Sequence, residues 1–209
     1  MLGRSKARRL RAGERLRAPR SERGTSDATI LLVGTYVFFG TLAVLGAFAL
    51  GRDPFTTRSV LGLEGHLAAL ASVGMGAVTA GATIVASRVA VRASAWGRAL
   101  HADLRPAVAG ASDRGILVMA LASGIGEELV FRGLLVQLVG VVISSLAFGL
   151  LHQVRGRARW AWAAWAALTG AAFGAIFVLT GSLAGPIVAH VCINFVNLRH
   201  LRDHGPPTI

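Results

Sequence analysis

Between Ala28 and Leu50 the chain runs for 23 residues without a charge. An α-helix needs about 20 apolar residues to cross the hydrocarbon core of a bilayer. The apolar part of a cleaved signal peptide is only about 7–15 residues long. The triplet Ala47-Phe48-Ala49 has the small-residue look of a cleavage site, but the length of the run predicts a retained transmembrane helix. Five more apolar runs follow, at Leu67–Ser87, Gly115–Leu138, Val139–Val154, Trp160–Thr180 and Ala184–Leu198. With 54% hydrophobic and 15% charged residues among 209, the chain reads as a polytopic membrane protein, not a soluble domain. The predicted fold class is an all-α membrane helix bundle of about six transmembrane segments. The fourth and sixth fall short of a full span and are expected to be tilted, partly re-entrant or buried among the others.

The formal net charge is +12, and nine of the 22 Lys/Arg residues lie between Arg4 and Arg23, against Glu14 and Glu22 alone. A basic tail of this kind can bind nucleic acid. Beside a membrane span it is better read as lying on anionic lipid and fixing topology, so no nucleic-acid partner is expected. The remaining arginines agree. Arg88, Arg92, Arg98, Arg105 and Arg114 follow the second run, Arg155, Arg157 and Arg159 follow the fourth, and Arg199 and Arg202 follow the sixth. The intervening loops hold Arg52 and Arg58, balanced by Asp53 and Glu64. By the positive-inside rule both termini are expected to be cytoplasmic, which requires an even number of spans. The expected organisation is a basic cytoplasmic tail at 1–27, one helical bundle at 28–199 and a short cytoplasmic tail at 200–209, in the plasma membrane of a bacterium. A single cysteine, Cys192, excludes an internal disulfide.

Inside the third run stand two adjacent acids, Glu127 and Glu128. Carboxylates at membrane depth are costly, so they face a protein interior or a water-filled cavity and usually act there. Glu128 and Arg132 are four apart on one helix face, acid first, the favourable order for an ion pair. That pair has a structural reading, because a paired buried charge is far less costly than two lone ones. Glu127 points about 100° away from Glu128. It is left without a local partner, in a setting suited to a general base.

Two further patterns lie in later runs. Phe148 and His152 share a face by their spacing of four, and so do His190 and Asn194. The plain reading of the second pair is an interhelical hydrogen bond. The sharper reading is a pair of donors that stabilises an oxyanion. Trp160, Trp162 and Trp165 directly follow the Arg155–Arg159 cluster and are read as markers of the headgroup level, with a tryptophan-lined groove as the alternative. Gly170 and Gly174 have the spacing of a close helix approach. His66, His101, His200 and His204 are expected to be exposed or interfacial. Cys192, within the third pattern, is read as a packing residue, not a nucleophile.

Taken together, Glu127-Glu128-Leu-Val-Phe-Arg132, Phe148-Gly-Leu-Leu-His152 and His190-Val-Cys-Ile-Asn194 resemble the CPBP family, also called the type 2 CAAX prenyl protease or Abi family. The flanking Phe131-Arg132-Gly133 and the stretch Thr180–Pro186 look similar too. The resemblance covers about Gly115 to Leu198 and implies an intramembrane endopeptidase. It implies that Glu127 activates water, His152 holds that water, His190 and Asn194 donate to the oxyanion, and Arg132 orients the acidic pair, with Glu128 and Phe148 in support. The implied substrate is a membrane-delivered peptide or protein, lipidated or a precursor.

Glu127, His152 and His190 would also make a His₂Glu set, a known catalytic zinc combination. No His-Glu-x-x-His helix is present, and zinc would leave Asn194 and Glu128 without a purpose. The expectation is therefore catalysis without a cofactor, with a zinc-dependent version of the same protease as the alternative. Two other readings remain. One is a non-catalytic scaffold or bacteriocin-immunity-type protein of the same fold. The other is a transporter or proton relay built on the same ionisable groups.

Overall fold

The structure is a computed structural model that describes the backbone of residues 20–154 and 156–205, and side chains from residue 29 onward. Most of the basic tail, residues 1–19, lies outside the described residues. Helix α1 spans Arg20–Ala49, α2 Gly65–Ala93, α3 Ala95–Leu104 and α4 Asp113–Glu128. A π-helical turn, Leu129–Val136, carries α4 into α5, Gln137–Leu151. Helix α6 spans Arg159–Thr180 and α7 Ala184–Asp203. Each of the six apolar runs is helical, the fourth only as far as Leu151. The short α3, in the loop after the second run, was not foreseen; Ser94 caps it by accepting from the Gly97 N–H at 3.0 Å.

Four helical stretches are long and apolar enough to cross a membrane: Thr29–Ala49, Gly65–Ala93, Asp113–Leu151 and Arg159–Thr180. The 39-residue stretch Asp113–Leu151 is not one rod. Gly140 has φ 79° and ψ 171°, a region only glycine adopts readily, and there the chain folds back on itself. The Ser144 hydroxyl donates to the Phe131 carbonyl at 2.8 Å. Thirteen residues along a straight helix would separate these two by about 20 Å. The fourth run is therefore a short return helix. From Gly140 to Leu151 it covers about 16 Å, roughly half a bilayer.

Lipid offers little hydrophobic drive for helices to associate, so small residues that permit close contact do the packing. Helices α2 and α7 run parallel in one constant register. Gly76 lies on Gly185, Ala80 and Ile84 pack with Ala189 and Ile193, and Arg88 donates to Asn197 Oδ1 at 2.9 Å. On α1, Gly40 sits against Gly126 of α4. Gly149 of α5 takes Ala163 and Ala167 of α6 into its notch. Outward side chains such as Leu31, Val142, Ile143 and Leu150 are exposed, as suits a surface facing acyl chains.

The loop from Gly51 to Glu64 covers one end of the bundle. Its amides at Thr57, Val60 and Leu61 donate to the carbonyls of Gly181, Val178 and Leu179. These are the carbonyls that the end of α6 leaves without intrahelical partners.

Candidate active site

The Gly140 hairpin sets the site's register. Phe148, eight residues after the turn, meets Phe131, nine before it, with ring centroids 4.9 Å apart. His152, twelve after, meets Glu127, thirteen before, at 3.5 Å from Nε2 to Oε2. Helix α7 runs antiparallel to α4 and adds the third motif. His190 lies at Glu127–Glu128, and Asn194 lies one turn lower, at Ser123. The short return helix thus brings His152 level with His190, beside Glu127.

Glu128 is fully buried and Arg132 nearly so. The guanidinium donates to Glu128 Oε1 at 2.8 Å and to the Gly170 carbonyl at 2.9 Å. It also stacks over the Phe148 and Phe173 rings, 4.5 and 5.3 Å from their centroids. Planar, forked arginine suits such a mixture of contacts. Gly170 makes it possible, because a Cβ there would lie 2.9 Å from Arg132 Nη2. On the same helix face, Gly174 takes Val141 of α5.

Both imidazoles are oriented from behind. His190 Nδ1 lies 2.7 Å from Glu128 Oε1, and His152 Nδ1 lies 2.8 Å from the Phe148 carbonyl. Carboxylate and carbonyl oxygens only accept, so each Nδ1 carries the proton and donates. Each Nε2 therefore faces Glu127, at 3.5 Å for His152 and 3.7 Å for His190. Those distances exceed a direct hydrogen bond. Glu127 Oε2 is buried and has no hydrogen-bond partner among the described residues. Three acceptor atoms thus converge on one point, where a molecule with hydrogens to donate fits.

The point opens into a cavity of about 360 Å³. Its lining includes Glu127, His152, His190 and Asn194, together with Tyr36, Ser123, Trp162 and Trp165. Asn194 Nδ2 donates to Ser123 Oγ at 2.9 Å, and Ser123 in turn donates to the Met119 carbonyl. One Asn194 amide hydrogen is held in this way, which leaves the other for a guest.

The tryptophans divide. Trp160 points outward with Arg159 over its ring, as the headgroup reading expects. Trp162 and Trp165 line the cavity, and Trp162 stands 6.0 Å from His152, ring to ring. For those two the groove reading replaces the boundary reading. Of the other histidines, His66 and His204 are exposed, but His101 is buried. Its Nε2 lies 2.9 Å from the His204 carbonyl, and its ring packs edge-on to His200. The histidines pack there because α3, unforeseen, folds against the end of α7. Cys192 is free and exposed.

Sequence reasoning missed Tyr36 and Ser123 and held the tryptophan lining only as an alternative. Two signals were present: Ser123 precedes Glu127 by one helical turn, and Tyr36 is the chain's only tyrosine. Among the described residues no group of three or more His, Cys, Asp or Glu side chains is arranged to hold a metal ion.

Fold and site together define an integral membrane helix bundle with a carboxylate–imidazole centre buried within it. Residues 114–196 match the family model described as Rce1-like, type II CAAX prenyl endopeptidase Rce1-like. This stretch carries all three motifs, and over it the chain is similar to that family of CAAX-type proteases. No curated protein and no solved structure matches the chain.

Proposed function

We propose that this chain is an intramembrane endopeptidase in which Glu127 activates water. The observation that carries the reading is the partnerless Glu127 Oε2 facing two imidazole Nε2 atoms across a cavity. A water at that point donates one hydrogen to Glu127 and the other to His152 Nε2, leaving an oxygen lone pair for attack. As the water oxygen bonds to the scissile carbonyl carbon, Glu127 takes the proton. The carbonyl oxygen becomes an oxyanion and receives the second amide hydrogen of Asn194. His190 adds a second donor when its Nε2 carries a proton, with Glu128 behind the ring to balance the charge. Collapse of the intermediate breaks the C–N bond, and the proton on Glu127 passes to the leaving amine.

The substrate class follows from the family: a membrane-delivered peptide, lipidated or a precursor. Trp162 and Trp165 give the cavity an apolar wall suited to such a guest. Both termini are assigned to the cytoplasmic face of the plasma membrane from the arginine distribution, with anionic lipid as the partner of the basic tail.

The test uses purified protein in liposomes and a fluorogenic farnesylated CAAX peptide. Wild type should cleave it, and Glu127→Gln should lower the rate by about 10²–10⁴, the usual share of a general base. Wild-type rates in Glu127→Gln would overturn the assignment. Cleavage should also survive a strong chelator; its loss, with recovery on zinc addition, would favour the zinc version.

A further inference from the structure

Tyr36 lies on α1, well outside the matched stretch 114–196, yet it lines the same cavity as Glu127, and its phenol lies within electrostatic reach of that carboxylate. The approach is enforced by the backbone. A Cβ on Gly126 would lie 2.9 Å from both Tyr36 Cβ and the Tyr36 carbonyl oxygen, so α1 and α4 touch here because position 126 has no side chain. Half-buried, Tyr36 has one side on the cavity that holds Glu127. Its other side faces an apolar groove of about 510 Å³ between α1 and α4.

A glutamate's terminal torsion is soft and nearly two-fold, so packing alone does not choose which oxygen faces a cavity. Glu127 Oε2 has no hydrogen-bond partner among the described residues, so a phenol that grips the carboxylate by its other oxygen, Oε1, leaves Oε2 free. A donor fixed on Oε1 settles the carboxylate plane and presents Oε2 to His152 and His190. We propose that Tyr36 is the positioning residue of this site, holding Glu127 by Oε1 so that Oε2 is presented to water. The proposal rests on the reading of Glu127 as the base. It makes the first membrane helix a working part of the centre, not only a packing element.

Because Tyr36 is the only tyrosine, full-length protein grown on tyrosine labelled with ¹³C at Cζ gives a single ring resonance. In detergent micelles or nanodiscs that resonance should shift when Glu127→Ala removes the acceptor. An unmoved resonance would overturn the contact. In the cleavage assay, Tyr36→Phe keeps the ring against Gly126 and removes only the donor. It should lower kcat about tenfold or more, the rate equivalent of one charge-assisted hydrogen bond, with KM little changed. A wild-type kcat would overturn the positioning role and leave the Glu127 reading intact. A wild type that cleaves nothing would defeat the Glu127 reading and the catalytic role of Tyr36 with it, while the resonance would still decide the contact.

Discussion

Glu128 gathers two partners on a single oxygen. Arg132 Nη1 lies 2.8 Å from Oε1 and His190 Nδ1 lies 2.7 Å from the same atom. The two adjacent acids therefore have separate tasks. Glu128 ties together a buried cation, an imidazole and two helices, while Glu127 faces the cavity.

Removing the charge of Glu128 strands Arg132, which is only 1% exposed. Breaking a buried pair on one side costs about 3–5 kcal/mol. Glu128→Gln should therefore lower thermal stability strongly in detergent, followed by tryptophan fluorescence. Glu127→Gln should leave it unchanged or raised, as happens at sites built for chemistry. Equal losses in both variants would favour the non-catalytic scaffold.

The reversal at Gly140 should be intolerant of any side chain. No neighbour lies within 4 Å of a Cβ there, so the cost is conformational: about 1–3 kcal/mol for a non-glycine residue in that region. Asparagine tolerates the left-handed helical region but not this one. Gly140→Ala and Gly140→Asn should therefore be about equally damaging, and both should reduce cleavage by separating His152 from Glu127. Paired thermal melts and rate measurements check this.

Gly170→Ala tests the opposite kind of glycine, one chosen for space. The new methyl would meet Arg132 Nη2 at 2.9 Å and Phe148 Cδ1 at 3.1 Å. Both are locked, so overpacking of about 1–3 kcal/mol is expected. Activity should fall with it, because Arg132 holds Glu128 and Glu128 orients His190. Full activity with normal stability would show that α6 can shift without disturbing the centre.

At the end of α7, beyond the apolar run, burial together with Arg88, His204, His101 and Arg92 pushes the His200 imidazole down to about 4 from an ordinary 6.5. The unfolded chain then takes up a proton that the folded chain resists. This contribution to stability is complete above about pH 6.5 and is lost as pH falls toward about 4. Melting temperature should drop across that window, and less steeply in His200→Phe. Parallel slopes in the two proteins would remove His200 as the cause.

Much of the centre was readable from spacing alone. Glu128–Arg132, Phe148–His152 and His190–Asn194 are each one helical turn apart, so a helix forces each pair onto one face whatever the remaining fold. The same local rule marked Gly170 and Gly174 as contact points. Tyr36 was not readable as a site residue, and Trp162 and Trp165 were so only as the second of two readings. Their relation to Glu127 and His152 runs between helices distant in the chain, and an aromatic in an apolar run looks the same whether it faces lipid or a cavity. The buried His101 was misjudged for the same reason: what covers it is the far end of another helix.

By itself, then, the sequence determined what lipid and helical geometry impose locally: apolar helices, most other charges kept to their ends, and three motifs each confined to one face. Only the tertiary structure decided that these faces meet. Spacing along a helix orders residues around its axis but says nothing about depth relative to another helix. Here depth is set by a glycine turn that makes α5 a half-length return, and by glycine contacts that fix the registers of α1 and α7. Those relations bring Glu127, His152, His190 and Asn194 to one cavity.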